Sequence, residues 1–292
     1  MSERPSILIV GAGRVGQTLG NLWVTHQVAQ IRAVCNTSLS SAQDAIRFIG
    51  QGDAYCDLSQ CPAVDIVVVT TPDDQLTAVI SEVQALPQMP GDLIIMHCSG
   101  CYASTDYTTL IKSSSQLASV HPVMSVSSPE LAVKQFKHIM CGYEGSSKAL
   151  AVLLPLFEAI GGIPFKLIPH QKAAYHVGMV MASNYLVALS EMSRLCLEQA
   201  GLSESTASSL VNQIMQQTLV NIGSSNTLSD ALTGPIQRGD EATLLRHRMA
   251  LGDDLEEIYQ LVGLRLLALT SHSSQVLDRL EHVLTDDLSK GL

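Results

Sequence analysis

Five short apolar runs, residues 7–10, 31–35, 66–70, 93–97 and 117–121, punctuate the first half of the chain and are rich in Val, Ile and Leu. Largely apolar runs of this length predict strands buried on both faces, as parallel sheets require. The stretches between them have Gly, Pro, Ser and Asp at their edges and read as helices. Strand and helix in alternation predict an α/β fold, a parallel doubly wound sheet with helices on both faces. Residues 139–141 and 165–168 read as two further strands around a helix near residues 148–160.

After Pro169 the short apolar runs stop. Residues 171–200, 203–221, 241–250, 254–270 and 273–288 carry helical patterns, with Ser203 and Asp240 as N-cap candidates. The pattern predicts two domains: residues 1–168 as the sheet domain and 169–292 as an all-α domain. The active site is expected where they meet.

The first strand runs into Gly11, Ala12, Gly13, Arg14, Val15 and Gly16. Strand, glycine turn and helix start form the dinucleotide-binding pattern. Gly11 permits the turn, Gly13 lets the backbone approach a pyrophosphate, and Gly16 lets helix and strand pack closely. Free N–H groups at the helix start favour the anion. Arg14 and Val15 are counted with the loop. The second run ends in Asn36, Thr37 and Ser38, where an NAD site usually places a carboxylate for the ribose. Neutral residues there, with Arg14 as a source of positive charge, predict a preference for NADP(H), NAD(H) being possible. Thr70, Thr71 and Pro72 end the third run and are expected to line the cofactor crevice, with Asp73 and Asp74 as helix-start acids.

The 292 residues are 46% apolar and 15% charged, enough for a large core, and the net charge is −10. An acidic chain lacks the basic footprint of nucleic-acid binding and does not favour an anionic membrane surface. No apolar stretch is long enough for a membrane helix. Met1 to Ser6 are polar and lead straight into a strand, so no signal peptide is expected and the chain is placed in the cytoplasm. Seven cysteines are scattered. Cys98 and Cys101 make a C-x-x-C pair without further ligands at metal spacing, so no metal site is expected; a redox pair is the alternative.

The chemistry-bearing residues cluster at strand ends and on the long helix. Ser99 follows the fourth run, and His121 and Ser125 follow the fifth. His176 and Asn184 lie about two turns apart on one helix face, with Tyr175 and Ser183 beside them. Polar groups on an apolar helix are costly unless paired or used. Reduction of a carbonyl needs a hydrogen-bond or proton donor at its oxygen, a role open to His121, His176 and Asn184. Arg238, between Gly234 and Gly239, suits a carboxylate clamp, and Ser125 is a second substrate-binding candidate.

These motifs, with His97 to Gly100, His121 with Pro122, residues 175–185 and residues 232–240, resemble a family of bacterial Rossmann-like proteins with a helical C-terminal domain of formerly unknown function. More distantly the chain is similar to pyrroline-5-carboxylate reductases, ketopantoate reductases and β-hydroxyacid dehydrogenases. The resemblance implies a C-terminal domain of the 6-phosphogluconate-dehydrogenase-like type, a homodimer formed through it, and reduction of a small carboxylate substrate. Ketopantoate is the first candidate and an imine of the pyrroline-5-carboxylate type the alternative. A non-catalytic NADP(H) sensor or scaffold is the alternative of another class. Ketopantoate reductases carry a helix lysine one turn before a catalytic asparagine. Aligning Asn184 with that asparagine places Val180 at the lysine position, leaving His176 or Lys172 as substitutes.

Overall fold

The computed structural model describes residues 4–286. The strands are β1 (Ser6–Val10), β2 (Gln30–Cys35), β3 (Asp53–Tyr55), β4 (Ile66–Val69), β5 (Ile94–His97), β6 (Gln116–Pro122), β7 (Met140–Gly145) and β8 (Ile163–Lys166). They form one sheet in the order β3-β2-β1-β4-β5-β6-β7-β8. The first six are parallel; β7 runs antiparallel to β6, and β8 is parallel to β7. Helices α1 (Arg14–Thr25), α2 (Leu39–Ile49), α3 (Leu76–Ala85), α4 (Pro129–Gln135) and α5 (Ser147–Ala159) connect them.

Alternation across the pleat explains the apolar runs of β1 and β4. Ile7 and Ile9 join one buried cluster with Leu19, Trp23 and Phe157, while Leu8 and Val10 join another with Ile80 and Val83. Both faces of the central strands are covered, so most of their positions are apolar. β3 was not legible as a strand. It is three residues long, on the sheet edge, and none of it is fully buried. The reversal at β7 was not expected either: β7 pairs with β6 in the antiparallel direction.

The remaining helices are α6 (Lys172–Gln199), α7 (Glu204–Ser224), α8 (Leu228–Ala231), α9 (Pro235–Arg238), α10 (Glu241–Ala250), α11 (Asp253–Leu267) and α12 (Ser274–Thr285). Residues 287 and 288, expected to end the last helix, and Met1 to Glu3 of the polar leader lie outside the described residues. The chain divides into two compact units, Met1–Ser183 and Asn184–Leu292. The sequence expectation put the change at 168/169. The division falls instead inside α6, because the first turns of that helix are rooted in the sheet unit through buried Lys172 and through Tyr175. In the second unit Ile236, Leu244, Leu267, Leu280 and Leu284 make a small core. Arg248 crosses it to the end of α12, donating to the carbonyls of Val283 and Asp286 and to Glu256. Among the described residues no helix is long and apolar enough to cross a membrane.

Candidate functional site

The glycine loop forms the floor of a cavity of about 1310 Å³ at the C-terminal edge of β1, β2 and β4. That exceeds the ~300–1,000 Å³ of a typical small-ligand pocket. Gly11 adopts a φ of +76°, and a Cβ there would lie 2.4 Å from Thr71 Cγ2. A Cβ on Gly16 would meet Thr70 Oγ1 at 2.5 Å, so this glycine packs α1 onto β4. Gly13 is different. Its hypothetical Cβ has only Gly11 O within range, at 3.9 Å, and otherwise faces open space. No side chain caps the N-terminus of α1, so its first N–H groups remain available to an anion. The hydroxyl of Thr71 is buried, lines the cavity and has no hydrogen-bond partner. A cradle left open at Gly13, an uncapped helix start and an orphaned hydroxyl fit a dinucleotide pyrophosphate.

Gly11, Gly13, Asn36, Thr37, Thr70, Thr71 and Pro72 line this cavity. Asn36 Oδ1 accepts from Ala12 N (2.7 Å), and Thr70 Oγ1 donates to Gly11 O (2.9 Å), so both shape the loop. Other expected cofactor residues stand elsewhere. Gly16 sits beneath the loop. Val15 faces Leu19, Pro122 and Phe136 on the opposite side. Ser38 accepts from Ser41 N and caps α2. Arg14 is not in the cavity wall: its guanidinium donates to Val126 O at 3.2 Å, beyond β6. As the first residue of α1 it starts at the loop, but its side chain crosses to the segment before α4.

A second group of polar residues gathers at the ends of β5 and β6. His121 Nδ1 and Tyr175 Oη are 2.8 Å apart. The His121 and His176 rings lie 6.2 Å apart, edge to face. Gly100 makes room for both, since a Cβ there would meet His176 Cδ2 at 2.7 Å and His121 Nε2 at 3.0 Å. The structure thus brings together His121 and His176, and adds Tyr175. Burial, reinforced by the Lys172 and His176 charges, pushes His121 down to about 4. The imidazole is therefore neutral at pH 7. Burial pushes Tyr175 up to about 12, so its hydroxyl keeps its proton.

Ser99 links the two groups. Its hydroxyl donates to Asp73 Oδ2 (2.9 Å) and accepts from the N–H groups of Cys101 and Tyr102. Asp73 follows Pro72 of the cavity wall, so one hydrogen bond joins the cofactor side to the histidine side.

Beneath the histidines lies a buried ion pair. Lys172 Nζ donates to Ser99 O (2.9 Å) and Ser119 Oγ (2.5 Å) and lies 3.5 Å from Glu144 Oε1. Glu144 also accepts from the N–H and hydroxyl of Ser104. Lys172 is thus held beneath the site, and α6 is pinned one turn before Tyr175 and His176. Glu144 escaped notice in the sequence. A single carboxylate at a sheet-facing position of an otherwise apolar strand was the available signal, because such a charge needs a partner.

Ser125 is exposed in the segment after β6. Asn184 and Arg238 belong to the second unit, the one two turns along α6 from His176 and the other at the end of α9. Cys98 packs against the core, and burial pushes its thiol up to about 12; all seven cysteines are free. A thiol held in that range is a poor nucleophile at neutral pH.

Fold, glycine loop and cavity define an NAD(P)-binding Rossmann domain of the oxidoreductase kind. Residues 6–86 match an oxidoreductase family with an NAD-binding Rossmann fold, and residues 139–266 match DUF2520, a domain of unknown function. No curated protein matches the chain. Among the solved structures that are similar over nearly their whole length are three from bacteria. Protein BF3122 from Bacteroides fragilis is 16% identical, with 91% of this chain and 98% of that one covered and a TM-score of 0.75. Protein TM1727 from Thermotoga maritima is 25% identical (93% and 98% covered, TM-score 0.67). A pyrroline-5-carboxylate reductase from Coxiella burnetii is 15% identical (96% and 99% covered, TM-score 0.61). These likenesses bear out the architecture of a Rossmann domain followed by a helical region.

Proposed function

We propose that the protein is an NAD(P)H-dependent reductase of a small oxo acid, with ketopantoate the first candidate. The observation that carries the proposal is the Asp73–Ser99 bond, which sets the dinucleotide cavity beside the His121–Tyr175–His176 group. The bound nicotinamide supplies hydride to the carbonyl carbon. The chain's task is then to stabilise the charge that develops on the oxygen until water protonates it. With Tyr175 donating to His121 Nδ1 and keeping its own proton, the neutral imidazole carries its proton on Nε2 and offers it as a hydrogen bond to the developing alkoxide. His176, whose ring borders the same space above Gly100 as His121, is the candidate to orient the substrate oxygen. Asn184 is the candidate amide donor, and Arg238 and Ser125 are the candidates for the substrate carboxylate.

One feature favours the imine alternative. Val180 stands where ketopantoate reductases have lysine, and the Coxiella pyrroline-5-carboxylate reductase shares the fold. Large apolar side chains are exposed on the helices, among them Val187, Ile214, Val220 and Met249. They support a homodimer formed through the helical unit. Free thiols throughout support a reducing, cytoplasmic setting.

Loss of nicotinamide absorbance is the assay, run with ketopantoate, other 2-oxo acids and pyrroline-5-carboxylate. Turnover of one compound, reduced about 10²-fold in kcat by Tyr175→Phe with dinucleotide affinity unchanged, supports the proposal. Tight dinucleotide binding without turnover of any would favour a sensor. Full kcat in Tyr175→Phe would refute the role given to the Tyr175–His121 hydrogen bond.

A further inference from the structure

We infer that the ribose end of the dinucleotide cavity selects NAD(H) over NADP(H). The inference rests on the nucleotide-binding reading of the cavity and deepens it. The neutral turn Asn36–Thr37–Ser38, taken alone, predicts the opposite preference; the inference is drawn from the carboxylates around it.

In a Rossmann domain the adenosine ribose lies at the end of β2, and the residues there discriminate a hydroxyl from a 2′-phosphate. In this chain three carboxylates stand in the cavity wall: Asp44, Asp57 and Glu82. Two flank the turn. Asp44 shares the cavity-facing side of α2 with Ser41, one turn earlier. Asp57 lies two residues beyond Tyr55, which pairs with Cys35 at the end of β2. Among the described residues no lysine, arginine or histidine lines the cavity.

Arg14 donates to Val126 O, away from the wall. Arg47 is paired with Asp44 one turn before it on α2, so this carboxylate carries its own cation and the unpaired charge of the wall rests on Asp57 and Glu82. The polar groups of the turn are also occupied by the fold. Asn36 Oδ1 holds Ala12 N, and Ser38 Oγ caps α2. Asp57 accepts from Ser59 N (2.8 Å), Ser59 Oγ (2.7 Å) and Gln60 (3.2 Å), and these bonds hold its carboxyl below the usual range, so it stays ionised. A ribose diol donates hydrogen bonds to carboxylates. A 2′-phosphate carries negative charge and only acceptors to the same place. The wall suits the diol.

Titration calorimetry of the full chain with NADH and NADPH tests the inference without requiring turnover, and 5′-AMP against 2′,5′-ADP isolates the ribose end. NADH is expected to bind about tenfold or more tightly than NADPH at low ionic strength. Like-charge repulsion is screened by salt, so the preference should narrow as salt is raised. Asp44→Asn removes one carboxylate and frees Arg47, and should move the ratio about fivefold or more toward NADPH. NADPH binding as tightly as NADH, or a preference for NADPH that weakens with salt, would overturn the inference while leaving the nucleotide site intact. Failure of both dinucleotides and both fragments to bind would overturn the nucleotide reading and the inference with it.

Discussion

Gly11 and Gly13 differ by two positions in the loop and should fail in opposite ways when each is replaced by alanine. In Gly11→Ala the backbone must hold a φ of +76° with a side chain present, and the Cβ would lie 2.4 Å from Thr71 Cγ2 and 2.9 Å from Thr71 N. The left-handed conformation costs roughly 1–2 kcal/mol, and overpacking against backbone adds roughly 1–3 kcal/mol. The sum, about 2–5 kcal/mol, lowers Tm by roughly 5–15 °C in a chain of this size. In Gly13→Ala the φ of −77° is ordinary and the nearest atom is 3.9 Å away. The only structural cost is that alanine is a poorer N-cap than glycine, about 0.5–1 kcal/mol. With nucleotide bound, however, the new methyl group occupies the space through which the pyrophosphate approaches α1. An overpacking cost of roughly 1–3 kcal/mol, confined to the complex, weakens binding roughly 5- to 150-fold. Thermal melts of the free proteins and calorimetric Kd values for NADH separate the two effects. Gly13→Ala binding like the wild type would refute the placement of the pyrophosphate. Gly13→Ala melting as early as Gly11→Ala would refute the account of the loop.

The buried ion pair and the buried histidines give two further predictions. Lys172→Met leaves the Glu144 carboxylate buried without its cation and should cost about 3–5 kcal/mol, whereas Lys172→Met with Glu144→Gln should recover a good part of it. Urea denaturation measures both, and a double variant no more stable than the single would show that the pair is not the source of the loss. His97 is fully buried, has no partner at either ring nitrogen, and is pushed down to about 3 by burial and the Lys172 charge; His121 is pushed down to about 4. The unfolded chain binds these protons near pH 6.5 and the folded chain does not, so stability should fall as pH drops from about 6.5 toward 4, by on the order of 3 kcal/mol for His121 alone. His97→Leu should be neutral or stabilising at pH 7 and should flatten this slope; a variant as acid-sensitive as the wild type would sink the assignment to His97.

The legible parts of the molecule were those written in adjacent residues. The runs at 7–10 and 66–69 are strands because every position is covered on one face or the other, and a local pattern suffices to say so. The glycine loop was legible for the same reason: turn, approach and packing are set by three residues within one turn of helix. β3 was missed because an edge strand of three partly exposed residues has neither the length nor the burial to leave a pattern.

The site was legible only in half, and the missing half depends on pairs distant in sequence. His121 and His176 could be named from their positions on a strand end and a helix, but their meeting depends on Gly100, which belongs to a third segment. Lys172 was visible only as a lysine near a helix start. Its burial is tolerable because Glu144, Ser119 and the Ser99 carbonyl converge on it from β7, β6 and the segment after β5. The same dependence governs Arg14. In the sequence it stands in the glycine loop and supplies positive charge to it; in the fold Val126, far along the chain, offers a carbonyl to its guanidinium. A charge adjacent in sequence is therefore no guide to the charge of a pocket. Here the wall is set by Asp44 and Asp57, whose distance from the glycines in sequence hid them.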